Sequence, residues 1–92
     1  GLYGHSNPVI ERAVVDALRH GIVLGGPTPR EAELADLMCG RFPALEQVRF
    51  TNSGTEANLY AVCAARAVTG RPALLAFEGS YHGGVLSFGG YG

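Results

Sequence analysis

The residues Ser53-Gly54-Thr55-Glu56 lie between a short apolar segment, which predicts a strand, and a long helical pattern. In open α/β sheets, ligands bind beside helix N-termini, where unpaired N–H groups and the helix dipole attract anions. The hydroxyls of Ser53 and Thr55 can donate to phosphate oxygens, and Gly54 lets a ligand approach the backbone. The pattern therefore indicates a phosphate site. The same residues permit a simpler alternative, in which Ser53 and Glu56 form a helix-capping box.

The common phosphate-binding motifs are absent from the sequence. All seven basic residues are arginines, and without a lysine the Gly-x-x-x-x-Gly-Lys loop of nucleotide-binding proteins is excluded. The glycine spacing of a dinucleotide-binding fold is also missing around Gly54. Any reaction that requires a lysine amine is therefore closed to these 92 residues alone.

A second candidate, Tyr81-His82-Gly83, follows the next predicted strand. The two strand ends of a β–α–β unit open toward the same edge of a sheet, so Tyr81 is expected to face the same crevice as Gly54. An aromatic ring beside a phosphate site suits a flat heteroaromatic cofactor that stacks on the ring. The alternative is an ordinary loop, with Tyr81 covering the core and His82 as a loop histidine without a special role.

Two helices are predicted in residues 1–46, each with marked ends. The signals are capping residues and a proline at the start of each helix, and a glycine or proline at its end. They are Asn7, Pro8 and Gly21 for the first helix, and Thr28, Pro29, Glu31, Gly40 and Pro43 for the second. Each helix has one apolar stripe, which predicts one packed face.

Residues 47–92 predict a β–α–β unit with ligand-binding loops. The expected strands are 48–51 and 73–77, and the helix between them begins at the Asn52-Ser53-Gly54 turn and ends at Gly70. Glycine-rich loops are expected beyond the second strand, including residues 89–92. This order of elements predicts an α/β fold with a largely parallel sheet.

Composition excludes several classes of function. Hydrophobic residues make up 47% of the chain and charged residues 16%, so we expect a piece of a larger domain. A formal net charge of -1 gives no basic surface for nucleic acid, and no apolar run is long enough to span a membrane. Cys39 and Cys63 have no metal-ligand spacing and are expected to be buried, reduced thiols of a cytoplasmic protein.

The two candidate segments together resemble a known family. Residues 51–57, Thr-Asn-Ser-Gly-Thr-Glu-Ala, and residues 77–83, Phe-Glu-Gly-Ser-Tyr-His-Gly, are similar to class III aminotransferases, which depend on pyridoxal 5'-phosphate. Residues 4–8, 26–31 and 69–71 are also similar to the branch that includes glutamate-1-semialdehyde 2,1-aminomutase. The resemblance extends over essentially the whole chain.

This resemblance implies part of the large domain of a fold-type I enzyme, a three-layer α/β/α structure. It implies that Ser53, Gly54 and Thr55 bind the cofactor phosphate, that Tyr81 stacks on the cofactor ring, and that His82 adjoins it. The implied substrates are small amino and keto compounds, and the implied assembly is a homodimer. No metal and no nucleic acid are expected.

The sequence also departs from the family. Class III aminotransferases need a lysine to hold the cofactor covalently and an aspartate to keep its ring nitrogen protonated. The chain has no lysine, and its two aspartates, Asp16 and Asp36, lie on the polar faces of predicted helices. Both catalytic groups are therefore expected beyond residue 92, and no residue of this chain is assigned a catalytic role.

The sequence is compatible with three functions. Residues 83–85, Gly-Gly-Val, differ from the His followed by small polar residues that is typical of aminomutase-like sequences. This difference favours an ordinary transaminase over an intramolecular amino transfer of the aminomutase type. A non-catalytic phosphate-binding or interaction module is the alternative from another class.

Overall fold

The computed structural model describes residues 1–86, in which three helices are joined by loops. They are α1 (Pro8–Leu18), α2 (Pro29–Arg41) and α3 (Gly54–Thr69). The chain divides into two compact units, Gly1–Val48 with α1 and α2, and a second unit that begins at Arg49 and contains α3. The loop expected at residues 89–92 lies outside the described residues.

All three helices begin at the predicted N-caps. The Asn7 side chain accepts a hydrogen bond from the backbone N–H of Val9 at 3.0 Å, and the Thr28 hydroxyl accepts one from Glu31 at 3.4 Å. Ser53 caps α3. These caps satisfy N–H groups that have no partner within a helix, so the local sequence alone defines where each helix starts.

The helix ends agree less well with the prediction. Helix α1 ends at Leu18 rather than near Gly21, because the next three N–H groups bond to carbonyls three residues back and tighten the turn. Gly40 does not end α2, which continues to Arg41, since a single glycine weakens a helix without breaking it. Helix α3 ends at Thr69 as predicted, with Gly70 in the left-handed conformation at φ 66°.

The two predicted strands are not formed within residues 1–86. Neither 48–51 nor 73–77 is assigned to a strand in this part of the chain. A strand exists only through hydrogen bonds to a neighbouring strand, and the composition of a segment cannot supply that neighbour. The β–α–β unit expected in residues 47–92 is therefore not seen, and the α/β architecture stays a prediction for this chain.

The apolar helix faces are exposed. None of the described residues 1–86 is buried, and Val14 of α1 and Val68 of α3 are 54% and 87% exposed. Cys39 is half-buried and Cys63 exposed, and both are free thiols, so the burial predicted for them is wrong in this structure. The reason is that no described element covers these faces.

No helix within residues 1–86 has the length and apolar character that crossing a bilayer would require.

Candidate functional site

The start of α3 is fixed by a cap around Ser53. Its hydroxyl accepts a hydrogen bond from the Glu56 N–H at 3.1 Å, and its carbonyl accepts one from Ala57 at 3.0 Å. The Glu56 carboxylate in turn accepts from the N–H of Asn52 at 3.2 Å, one residue before the position that a standard capping box would use. The capping alternative is therefore part of the structure.

This cap leaves the first two N–H groups of α3 available. Within residues 1–86, no acceptor is found for the N–H of Gly54 or of Thr55. A side chain placed at Gly54 would meet no atom within 4 Å, so the space beside this N-terminus is open. Unpaired N–H groups that face open space at the positive end of a helix dipole are suited to bind an anion.

The loop of residues 81–84, which we call the Tyr81 loop, lies against the start of α3. The N–H of Gly84 donates to the Thr55 hydroxyl at 3.2 Å, and the Asn58 amide donates to the carbonyl of His82 at 2.9 Å. Gly83 has a φ of +116°, and a Cβ there would lie 2.7 Å from the Thr55 hydroxyl oxygen. Only glycine allows this close approach. The two segments predicted to face one crevice are adjacent.

Tyr81 is 84% exposed in the described part of the chain, where no residue is buried, so its exposure does not distinguish between the two interpretations. Its hydroxyl lies 3.9 Å from the position that a Cβ of Gly84 would occupy. The half-buried His82 contributes its backbone carbonyl to the contact with α3. The Tyr81 ring is thus held on a loop whose backbone is attached to the helix.

Two further observations concern basic and metal-binding side chains. The Arg49 guanidinium lies 5.0 Å from the centroid of the Tyr60 ring, a cation–π contact within the second unit. Among residues 1–86, no group of three or more histidine, cysteine or acidic side chains could hold a metal ion.

Asn58 is not among the site residues predicted from the sequence. Its amide joins two parts of the chain that are 24 residues apart. The available signal was its spacing of three residues from Thr55, which places both side chains on one face of α3. Spacing alone does not identify the carbonyl that the amide contacts.

The comparisons with known proteins agree on one family. The sequence model for class III aminotransferases matches residues 2–88. A β-phenylalanine transaminase of Variovorax paradoxus is 57% identical over 89 residues, which are 97% of this chain and 20% of that protein. An uncharacterised aminotransferase of Schizosaccharomyces pombe is 52% identical over 89 residues, 96% of this chain and 20% of that protein.

A glutamate-1-semialdehyde 2,1-aminomutase of Bordetella avium is 49% identical over 82 residues, 89% of this chain and 19% of that protein. The chain thus spans about a fifth of the length of these relatives. No solved structure matches it.

Proposed function

Because the chain belongs to the class III aminotransferase family, we propose that it is the part of a pyridoxal 5'-phosphate-dependent transaminase that binds the cofactor. The full-length enzyme would transfer an amino group between an amino compound and a keto compound. The contact between the Tyr81 loop and the start of α3 is the observation that supports this most strongly. It places an aromatic residue and an anion-attracting helix end in one local unit.

The residues at the start of α3 fit a phosphate group. The N–H groups of Gly54 and Thr55 point to no acceptor within residues 1–86, and the space beside Gly54 is open. The Thr55 hydroxyl oxygen accepts from Gly84, which leaves its O–H able to donate to a phosphate oxygen. The Ser53 hydroxyl accepts from the Glu56 N–H, and its O–H is likewise able to donate. These groups would bind and orient the phosphate.

We assign the ring of the cofactor to Tyr81, with His82 beside it. Stacking on a tyrosine contributes about 0.5–1.5 kcal/mol beyond the burial of apolar area. When bound, pyridoxal phosphate supplies a ring that accepts the electron pair released as a substrate loses its α-proton. Tyr81 would restrict the ring to one orientation and keep water from one of its faces.

The covalent and proton-transferring groups would come from outside these 92 residues. The chain has no lysine, and its two aspartates, Asp16 and Asp36, are exposed on α1 and α2. We therefore propose that the full-length protein provides the lysine and the aspartate, within a fold-type I large domain of α/β/α layers. The extensive exposed apolar surface of α3 is consistent with helices and strands that cover it there.

A transaminase is favoured over an intramolecular amino transfer. The Gly83-Gly84-Val85 sequence differs from the aminomutase-like pattern, and the transaminase from Variovorax shares more identity with the chain than the aminomutase does. Membership of an enzyme family argues against the non-catalytic module. Supplying the full-length protein with separate amino donors and keto acceptors distinguishes the two reactions, because an aminomutase needs donor and acceptor in one molecule.

The homodimer that the resemblance implies and the cytoplasmic location expected from the reduced cysteines belong to the same proposal. Sedimentation of the full-length protein would test the first, and fractionation of cells would test the second.

The phosphate assignment can be tested at Thr55 in the full-length protein. Apo-protein is titrated with pyridoxal phosphate and, separately, with pyridoxal, which lacks the phosphate. We expect Thr55→Ala to weaken binding of the phosphate form by about 1–3 kcal/mol, as for a lost hydrogen bond to a charged group. The binding free energy of pyridoxal should fall less, because pyridoxal has no phosphate and only the hydrogen bond from Gly84 to Thr55 is missing. Thr55→Ser, which keeps the hydroxyl, is the matched control.

Equal losses for the two compounds would show that Thr55 acts on the loop alone. An unchanged dissociation constant for pyridoxal phosphate would show that Thr55 is only part of the helix start.

A further inference from the structure

Two hydrogen bonds attach the Tyr81 loop to one face of α3. Thr55 accepts from the N–H of Gly84, and Asn58, three residues further along the helix, donates to the carbonyl of His82. Residues three apart are neighbours on a helix surface, so both bonds come from the same side. They hold the backbone on either side of Gly83, where a Cβ would lie 2.7 Å from the Thr55 hydroxyl oxygen.

The contact at Asn58 requires an amide. Its Nδ2 group is a donor, whereas an aspartate at this position would offer only acceptors to the His82 carbonyl. The Asn58 side chain lies at the edge of a cavity of about 160 Å³ whose other lining residues include Val62, Leu74 and Ala76. These apolar side chains cannot replace the donor. The hydrogen bond to the His82 carbonyl therefore depends on the amide of Asn58.

We propose that Asn58 is a positioning residue that acts on the cofactor through Tyr81. It fixes the carbonyl of His82, and so the backbone from which the adjacent Tyr81 ring projects. This inference rests on the proposed function, since the position of the ring matters to a cofactor only if one binds here. The Asn58 amide donates to the His82 carbonyl and not to the phosphate that Ser53, Gly54 and Thr55 would bind.

The roles of Thr55 and Asn58 differ in a measurable way. Thr55 would contact the phosphate and also hold the loop, so Thr55→Ala should weaken the binding of pyridoxal phosphate more than the binding of pyridoxal. Asn58 would hold the loop alone, so Asn58→Ala should weaken the binding of both compounds by the same factor. In a Tyr81→Ala variant, Asn58→Ala should have no further effect, because the ring that Asn58 positions is then absent.

The experiment uses the full-length protein and measures dissociation constants by titration of the apo-protein. We expect Asn58→Leu and Asn58→Ala to raise the constant roughly two- to tenfold, the effect of one lost hydrogen bond. The visible circular dichroism of the bound cofactor should fall as well, since it reports how the ring is oriented. Asn58→Gln retains the donor and should restore most of both signals.

Loss of helix stability would not explain such a result. Leucine and alanine both favour helices more than asparagine does, so neither replacement weakens α3 itself. The thermal midpoint of each variant serves as the control for folding.

A double-mutant cycle with Tyr81→Ala provides the decisive comparison. We expect Asn58→Ala to have no additional effect on the dissociation constant in the Tyr81→Ala background. An undiminished effect there would overturn the inference, because Asn58 would then support something other than Tyr81. An unchanged constant in the single variants would also overturn it, while the proposed function would stand. A wild-type protein that binds no pyridoxal phosphate would overturn both.

Discussion

Replacing Gly83 by alanine should separate the Tyr81 loop from α3. A Cβ at this position would lie 2.7 Å from the Thr55 hydroxyl oxygen, 2.9 Å from its Cα and 3.0 Å from its Cβ. Two of these atoms cannot be avoided by rotating a side chain. The backbone at Gly83 also has a φ of +116°, where a residue with a side chain is strained by about 1–3 kcal/mol.

The clash determines how far the loop must move. Carbon atoms pack at about 3.5–4.0 Å, so relieving the contact with the Thr55 Cα shifts the loop by about 0.6 Å or more. The hydrogen bond from Gly84 to Thr55, 3.2 Å long, then exceeds the usual range and is lost. A lost bond of this kind is equivalent to about 0.5–1.5 kcal/mol. Displacement of Tyr81 adds to it, and we expect the cofactor to bind about tenfold more weakly, which corresponds to about 1.4 kcal/mol.

Titration of the full-length apo-protein with pyridoxal phosphate measures this effect. Gly79→Ala is the matched control, because Gly79 also has a positive φ of +74° but a Cβ there would meet no atom within 4 Å. The control should lose stability to unfolding without losing affinity. Equal affinities for Gly83→Ala and the wild type would refute the close approach of the loop to Thr55.

The remaining predictions concern the ring, the cap and the isolated chain. Tyr81→Ala should weaken cofactor binding by about 0.5–1.5 kcal/mol or more in the same titration. Tyr81→Phe keeps the stacking face and should bind the cofactor nearly as tightly as the wild type does. Equal losses of affinity in the two variants would mean that stacking is not the role of the ring. Ser53→Ala should lower the free energy of unfolding by about 1 kcal/mol and Ser53→Gly by a few tenths, as measured by denaturant titration; no difference from the wild type would show that the cap contributes nothing. The purified 92-residue chain should show no transamination, because it has no lysine, and reproducible turnover would contradict the division of catalytic groups proposed above.

The helix starts were predictable because their causes are local. Asn7, Thr28 and Ser53 each bond to an N–H within three residues, so their identity and spacing contain the whole signal. The end of α3 at Gly70 is local in the same sense. The end of α2 is a weaker signal, since Gly40 does not need a left-handed conformation and the helix simply continues.

The strands and the burial of helix faces could not be obtained in this way. Segments 48–51 and 73–77 have the composition of strands, but a strand also needs partners that lie elsewhere in the sequence or outside it. The same applies to Cys63, whose apolar neighbours on α3 predict burial only if another element covers the helix. Composition therefore indicates which helix faces must be buried, but it does not identify the elements that pack against them.

The candidate site shows both cases. The phosphate-binding pattern at Ser53, Gly54 and Thr55 is contiguous and was visible in the sequence. Its proximity to the Tyr81 loop was inferred from a β–α–β arrangement that the described residues do not form, yet the two segments are adjacent. The contact that holds them, from Asn58 to His82, has no local signature and required coordinates.

The location of the cofactor in the full-length protein tests the central proposal most directly. A crystal structure with pyridoxal phosphate bound should place its phosphate within hydrogen-bond distance of the Thr55 N–H and hydroxyl, with the Tyr81 ring stacked on the pyridine ring. A phosphate bound away from the start of α3, or a cofactor ring that does not contact Tyr81, would contradict the proposal.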